Sequence, residues 1–184
     1  MNADLRSLYE QVVLDHNRRP RNFQHQPAGA THHARGFNPV CNDEFTVQLK
    51  VEDGVIKDVG FSGAGCAIST ASCSLMTEAV KGMPVAGAER MFRGVQQLLT
   101  VGDAGNDLGK LTILAGVRDY PMRVKCATLA WHVLHAALAN KSDTVSTENQ
   151  GPPPPVECAM AAPGVPPPAA LAHPCASPDE DEKP

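Results

Sequence analysis

The six cysteines of this 184-residue sequence include no CxxC pair. Zinc fingers and zinc ribbons draw their ligands from such close pairs, so the absence argues against both classes of site. No apolar run approaches the roughly 18 residues of a membrane span, and the first residues, MNADLRSLYEQ, contain no apolar segment of a signal peptide. We therefore expect a cytoplasmic protein with no membrane partner, in which thiols stay reduced and disulfides are rare.

The sequence also has little net charge outside its C-terminal part. The whole chain carries a formal charge of -4, but residues 142–184 hold seven acidic side chains and one lysine, which leaves residues 1–141 at +2. A nucleic-acid-binding domain usually has a strongly basic surface. We therefore expect no nucleic-acid partner.

Residues 142–184 lack aromatic side chains and contain 11 of the 16 prolines. An acidic block, Asp179–Glu182, lies near the end of this segment, which cannot bury enough apolar surface to fold. The sequence therefore predicts one domain at residues 1–141 and a disordered, proline-rich acidic tail at residues 142–184. We assign no role to the two cysteines of the tail, Cys158 and Cys175.

Within residues 1–141 the hydrophobic pattern changes from helical to extended and back to helical. Alternating apolar residues from Glu44, a turn at Asp53 and Gly54, and a second extended run predict a β-hairpin. Helical spacing predicts helices over residues 4–17, Ala67–Lys81 and Ala88–Leu99, and a last one from Val124. Helices with a small antiparallel sheet, without alternating strand–helix units, indicate an α+β domain.

Three cysteines occupy similar places relative to these elements. Cys41 lies on a turn before the hairpin, Cys66 follows a glycine-rich junction of strand and helix, and Cys126 lies where the last helix is predicted to begin. Helix N-termini lower the pKa of a thiol and favour the thiolate that binds metals. With Asp43, two residues after Cys41, they give four ligands that suit tetrahedral Zn²⁺.

Two cations flank the last of these cysteines. Three thiolates and one carboxylate outweigh the charge of Zn²⁺, so Arg123 and Lys125 would either offset the excess negative charge or meet an anionic intermediate. A simpler interpretation stays open at this point. Free cysteines often only fill space in a core, and Asp43 could cap a turn.

The remaining candidate ligands are predicted to lie away from this site. Cys73 follows on the second predicted helix, about 10 Å along the axis from its start, and is predicted to be a core residue. His132 and His135, one turn apart on the last helix, are predicted to be surface residues. His32 and His33 are predicted to lie in a loop.

Four stretches of the sequence resemble a known family. LYEQVVLDHNRRPRN, NPVCND, GFSGAGCAISTASCSLM and LAGVRDYPMRVKCATLAWHVL are similar to motifs of the IscU-type, or NifU N-terminal, iron–sulfur cluster assembly proteins. The resemblance covers most of residues 1–141. It implies an α+β fold with a three-stranded antiparallel sheet covered by helices, and metal ligands at Cys41, Asp43, Cys66 and Cys126.

Three features favour the SufU branch of this family. Lys125 stands before the last ligand cysteine, where IscU proper has histidine, and YPMRVKC replaces the Leu-Pro-Pro-Val-Lys motif for chaperone docking. The 59 residues between Cys66 and Cys126 also match the longer central segment of SufU-like proteins. The branch implies a zinc-dependent sulfurtransferase in which Cys41 accepts sulfur as a persulfide from a cysteine desulfurase and passes it to downstream assembly or acceptor proteins.

The sequence departs from the family pattern at three places. Asn42 replaces the usual glycine, Cys73 replaces an alanine, and the tail has no counterpart in the family.

Two other functions stay open. The same four ligands could instead hold a transient [2Fe–2S] cluster on a scaffold that hands it to apoproteins. The site could also be a purely structural zinc module, in which the metal only stabilises the fold.

Overall fold

The computed structural model describes residues 3–102, 108–140 and 144–148. Its helices are α1 (Ala3–Arg18), α2 (Ala67–Val80), α3 (Val85–Thr100), the 3₁₀ helix Gly109–Val117 and α4 (Pro121–Leu138). Its strands are β1 (His32–Asn38), β2 (Asp43–Glu52), β3 (Val55–Ala64) and β4 (Val145–Ser146). The predicted α+β class is confirmed. None of the described helices is both long and apolar enough to cross a membrane.

Local sequence explains the bounds of the hairpin and of α2. The predicted turn between β2 and β3 falls at Asp53 and Gly54, whose φ angles of 52° and 71° lie in the left-handed region that a tight hairpin turn uses. Helix α2 ends before Gly82, whose φ of 83° suits the residue that follows a helix. Both elements therefore lie where the sequence predicts them.

The sheet has four strands in the order β3-β2-β1-β4 and is mixed. Antiparallel pairing joins β1 to β2 and β2 to β3, whereas β4 lies parallel to β1, with Val145 opposite Gly36. The expectation of a three-stranded, purely antiparallel sheet is therefore wrong. A strand of two residues carries no alternation from which it could be predicted.

Strand β1 includes His32 and His33, which the sequence analysis assigned to a loop. Its buried positions are Ala34, Gly36 and Asn38, so its inner face has almost no apolar side chain. A Cβ at Gly36 would collide with Val133 and Leu129 of α4. The strand lacks large inward side chains because the helix packs directly against its backbone.

Helix α4 forms the centre of the core. It packs against β1, β2, α2 and α3, and its Trp131 is fully buried. The helix begins at Pro121 rather than near Val124, because proline fits a first helical turn whose N–H groups have no partner within the helix. Cys126 is therefore the sixth residue of α4 and does not lie at its start.

The C-terminal part of the chain begins with an ordered segment. Residues 144–148, which contain β4, lie beyond the boundary at residue 141 where the tail was predicted to begin. Residues 149–184, with Cys158 and Cys175, lie outside the described residues. The predicted disorder of that segment stays a prediction.

Candidate metal centre

A four-residue connection between β1 and β2 places the first two predicted ligands. Cys41 lies exposed on this turn, and Asp43, the first residue of β2, is completely buried. Asn42 between them has a φ of 55°. Asparagine tolerates this left-handed conformation better than most residues, so the turn accommodates it where the family pattern has glycine.

Cys66 is the N-cap residue of α2, as predicted from its place after the glycine-rich junction. Its Sγ accepts hydrogen bonds from the backbone N and the Oγ of Ser69, each at 3.4 Å. Its own backbone N donates to Oδ1 of Asp43 at 2.6 Å. The start of α2 is thereby tied to the start of β2.

Cys126 approaches the same point from α4 and is 1% exposed. Its Sγ lies 3.0 Å from the Sγ of Cys41 and 3.4 Å from Nδ2 of Asn38. Because it lies six residues into the helix, the helix dipole gives its thiol little of the expected stabilisation as a thiolate. The structure therefore contradicts the sequence-based reason for its reactivity, although it places Cys126 at the site.

Three of the four predicted ligands converge closely. One ligand atom each from Cys41, Asp43 and Cys126 lie within 4.8 Å of one another, close to the span of two metal–ligand bonds of roughly 2.0–2.3 Å each. Cys66 does not belong to this group. It nevertheless lines, together with Cys41 and Cys126, a cleft with a volume of about 490 Å³. The donor chemistry, thiols with one buried carboxylate, fits Zn²⁺ and also fits iron in a cluster.

The thiols of this cleft differ in acidity. A hydrogen bond from the Cys126 thiol, together with those from Ser69, lowers the pKa of Cys66 to about 6, although burial alone would raise it. The same contact with Cys66, followed by burial, raises the pKa of Cys126 above its ordinary value. Cys66 is therefore the more acidic of these two thiols in the metal-free chain.

The two predicted supporting cations point to different surroundings. Arg123 lines the cleft, with its guanidinium carbon 4.5 Å from the centre of the Tyr120 ring. Nζ of Lys125 instead lies 2.7 Å from Oε1 of Glu148, in the segment that follows β4, and Lys125 is not among the residues that line the cleft. Of these two cations, only Arg123 lines the cleft together with Cys41.

A comparison with known proteins identifies the family. The sequence profile of the NifU-like N-terminal domain matches residues 8–148. The chain belongs to this family. The family predicted from the sequence motifs is thereby confirmed, and the match extends through β4 to Glu148.

Two relatives of this NifU-like domain are named for different functions, one as a sulfurtransferase and one as a scaffold. The chain is 36% identical over 146 residues to the zinc-dependent sulfurtransferase SufU of Bacillus subtilis, an alignment that covers 76% of this chain and 95% of that protein. It is 41% identical over 135 residues to the iron–sulfur cluster assembly scaffold protein IscU of Thermotoga maritima, covering 71% of this chain and 92% of that one.

A solved structure also resembles this NifU-like domain. The crystal structure of FiSufU from Fervidobacterium islandicum, described as an iron–sulfur cluster assembly scaffold protein for the SUF system, superposes with a TM-score of 0.64 at 31% identity. The superposition covers 72% of this chain and 97% of FiSufU. The fold is therefore shared over nearly the whole of that protein.

The other candidates lie away from the cleft. Cys73 is fully buried, as predicted, and burial raises its pKa well above the ordinary value, so its thiol is inert. His132 was predicted to be a surface residue, but it is 7% exposed and lies edge-on to Phe92 with ring centres 5.5 Å apart. That prediction is wrong because α4 is buried on nearly every side and has no polar face.

Two buried polar residues beside the ligands were missed by the sequence analysis. Asn38 is completely buried and contacts both Asp43 and Cys126, and Thr147, 6% exposed, contacts Asn38. Asn38 stands inside the NPVCND motif, which is a signal that could have found it. No local pattern marks Thr147, since its partner is 109 residues away.

Proposed function

We propose that this chain accepts sulfane sulfur on Cys41 from a cysteine desulfurase and passes it to iron–sulfur assembly or acceptor proteins. In this proposal Zn²⁺ is held by Cys41, Asp43, Cys66 and Cys126. The similarity to the zinc-dependent sulfurtransferase SufU of Bacillus subtilis supports this function. The site would act in a cytoplasmic protein, as expected from the sequence.

The observation that carries the proposal is the contrast in exposure within the ligand group. Cys41 is exposed, whereas Asp43 and Cys126 are buried, with exposed fractions of 0% and 1%. A protein-bound persulfide can reach an exposed thiol but not a buried one. Cys66, the remaining proposed ligand, is only partly exposed. Cys41 is therefore the most accessible thiol of the set and is assigned as the nucleophile, while the buried residues keep the site in place.

Each group at the site has a distinct part in the transfer. Zn²⁺, when bound, favours the deprotonated form of its cysteine ligands and has no redox chemistry, which suits ligand exchange rather than electron transfer. The Cys41 thiolate attacks the terminal sulfur of the desulfurase persulfide. A new S–S bond forms at Cys41, the S–S bond of the donor breaks, and the donor cysteine leaves as a thiolate. Arg123 lines the cleft where it can stabilise the persulfide anion.

Exposed apolar side chains around the cleft support a protein as the sulfur donor. Leu14 of α1 and Met122 of α4 line the cleft and are 44% and 55% exposed, and Val40, next to Cys41, is 38% exposed. Clustered exposed apolar residues are typical of protein-binding surfaces. We assign this rim to the desulfurase, whose own pyridoxal phosphate would supply the chemistry that releases sulfur from cysteine.

A second candidate function has its own support. The chain is 41% identical to the Thermotoga maritima scaffold protein IscU, and the same donor set could hold a transient [2Fe–2S] cluster. Thiolates bind such clusters readily, and a carboxylate ligand would leave the cluster easy to transfer. The replacement of histidine by Lys125 before the last ligand favours the sulfurtransferase over this scaffold.

Metal analysis and a sulfur-transfer assay separate the two functions. The full chain is purified without oxygen, its zinc, iron and acid-labile sulfide are quantified, and a cysteine desulfurase is added with cysteine. About one zinc per chain, faster desulfurase turnover and a persulfide on Cys41 are the expected results. Iron with matching sulfide, and no stimulation of the desulfurase, would instead establish the scaffold.

A further inference from the structure

We propose that Asn38 and Thr147 position the metal ligands, so that the segment containing β4 is a working part of the metal centre. Asn38 holds Asp43 and Cys126 in place, and Thr147 holds Asn38. The inference rests on the proposed metal site. It assigns to the C-terminal segment a role that neither the ligand motif nor the family match specifies.

The side chain of Asn38 uses both ends of its amide at the site. Its Nδ2 donates to Oδ2 of Asp43 at 3.2 Å and lies 3.4 Å from Sγ of Cys126. Its Oδ1 accepts a hydrogen bond from the backbone N of Val40 at 3.2 Å and another from Oγ1 of Thr147 at 3.2 Å. Asn38 therefore links a ligand on β2 to a ligand on α4.

These contacts fix the carboxylate of Asp43 at both oxygens. Oδ1 accepts a hydrogen bond from the backbone N of Cys66 at 2.6 Å, while Oδ2 accepts the one from Asn38. Each oxygen keeps lone pairs for a metal ion, but the plane of the carboxylate cannot turn without breaking a buried hydrogen bond. Partners of this kind orient metal ligands and tune their affinity.

Val40 and Thr147 together favour one orientation of the Asn38 amide. A flipped amide would point its NH₂ group at the backbone N–H of Val40, which can only donate, and the Thr147 hydroxyl would have to accept a hydrogen bond instead of donating one. The observed orientation, in which Nδ2 points at the ligands, satisfies both donors. Thr147 is 6% exposed, so water does not readily replace its hydroxyl.

Two further contacts hold Thr147 at this position. Its backbone N donates to the carbonyl O of Phe37 at 3.3 Å, which continues the parallel pairing of β4 with β1. On its other side, Oε1 of Glu148 lies 2.7 Å from Nζ of Lys125 on α4. The segment is thus fastened to the strand before Cys41 and to the helix that carries Cys126.

The test measures metal binding in the full-length chain rather than sulfur transfer. Zinc affinity is measured by competition with a chromophoric chelator, and the ligand-field absorption of the Co²⁺-substituted chain reports the geometry of the ligands. The variants are Asn38→Ala, Thr147→Val, Thr147→Ser and the double variant Asn38→Ala with Thr147→Val. The matched control is Thr128→Val. Among the described residues, this buried hydroxyl donates to the carbonyl groups of Val124 and Lys125 of its own helix and to no residue of the site.

We expect Asn38→Ala to weaken zinc binding about 10- to 100-fold and to change the Co²⁺ spectrum. Thr147→Val removes one hydrogen bond to the amide and should weaken binding about three- to tenfold. Thr147→Ser keeps the hydroxyl and should restore the affinity, and Thr128→Val should leave affinity and spectrum unchanged. Because Thr147 acts through Asn38, Thr147→Val should have no further effect in the Asn38→Ala background.

An unchanged zinc affinity and Co²⁺ spectrum in Thr147→Val would overturn the inference, as would a full additional loss in the double variant. If Asn38→Ala fails to fold, the contrast between Thr147→Val and Thr147→Ser decides alone. Failure of the proposed function looks different, because the wild-type chain would then bind metal without acquiring a persulfide on Cys41. A wild-type chain that bound neither Zn²⁺ nor Co²⁺ would overturn both.

Discussion

The sulfur atoms of Cys41 and Cys126 lie 3.0 Å apart, yet the first residue is exposed and the second is 1% exposed. The contact joins a surface turn to the central helix of the core. A metal ion at this point would be held from the protein interior and approached from solvent through Cys41. In the proposed function Cys126 therefore only holds the ion, whereas Cys41 both binds it and reacts with the partner.

Replacing Cys41 by alanine should abolish sulfur uptake and leave the fold intact, because an exposed side chain leaves no cavity behind. The readout is the mass of the intact chain after incubation with a cysteine desulfurase and cysteine. Cys73→Ala is the matched control. It should cost about 1 kcal/mol of stability, from the loss of one small buried group, and keep sulfur uptake. Uptake by Cys41→Ala at the wild-type rate would rule out Cys41 as the acceptor.

Arg123→Ala should slow sulfur transfer to Cys41 roughly tenfold, the effect of losing one charge-assisted hydrogen bond to the persulfide. Lys125→Ala, two residues along the chain, provides the comparison. Lys125 pairs with Glu148 outside the cleft, so its loss should change the rate less than about twofold, in line with a partly exposed ion pair. Equal losses in both variants would mean that general positive charge, rather than the position of Arg123, assists the transfer.

The buried His132 should make the domain less stable in acid. Burial lowers its pKa to about 4, below the ordinary value of about 6.5. As the pH falls from about 6.5 to 4, the unfolded chain binds a proton that the folded chain does not, so the free energy of unfolding falls by up to about 3 kcal/mol. His16, whose pKa burial also lowers, adds to the same trend.

The His132 contribution is measured by urea unfolding of the zinc-free chain at pH 7.5 and pH 4.5, since metal binding has its own pH dependence. His132→Gln removes the titrating group and should lose less stability than wild type between these two pH values, whatever its stability at pH 7.5. The same loss in both proteins would show that His132 is protonated when folded.

Two glycine substitutions distinguish the loss of stability caused by a steric clash from the loss caused by a left-handed backbone conformation. Gly36→Ala should destabilise the domain by about 3 kcal/mol, because its Cβ collides with Val133 and Leu129 of α4. Gly54→Ala meets nothing within 4 Å but keeps a φ of 71°, which should cost about 1 kcal/mol. Denaturant midpoints measure both. A smaller loss for Gly36→Ala than for Gly54→Ala would contradict the close packing of α4 on β1.

The sequence predicts best those elements whose side chains repeat regularly. The β2–β3 hairpin follows from the alternation of Phe45, Val47 and Leu49, all fully buried. Strand β1 breaks the pattern, because its inward positions include Gly36, where a helix approaches, and Asn38, where the site needs an amide. The inward residues of β1 suit the helix and the site that they contact. Those contacts are long-range, so the local hydrophobic pattern does not reveal them.

The candidate site was predictable to the same degree. The spacing of cysteines within family-like motifs identifies all four proposed ligands, and three of them converge in the structure. The contact between Asn38 and Thr147 joins residues 109 positions apart, and only the folded chain brings them together. The start of α4 was misplaced for a local reason, since the helical spacing of apolar residues indicated a start near Val124, whereas Pro121 is the first residue of the helix.

The short strand β4 also protects the sheet against unwanted association. An exposed strand edge offers unpaired backbone groups to other chains and promotes aggregation. β4 occupies part of the β1 edge at Gly36 and Phe37, and on the opposite edge Phe23 and Pro84 form single bridges to β3. Segments of one or two residues thus cover part of both edges, so loss of the β4 contact would expose the chain to edge-to-edge pairing beside the candidate metal centre.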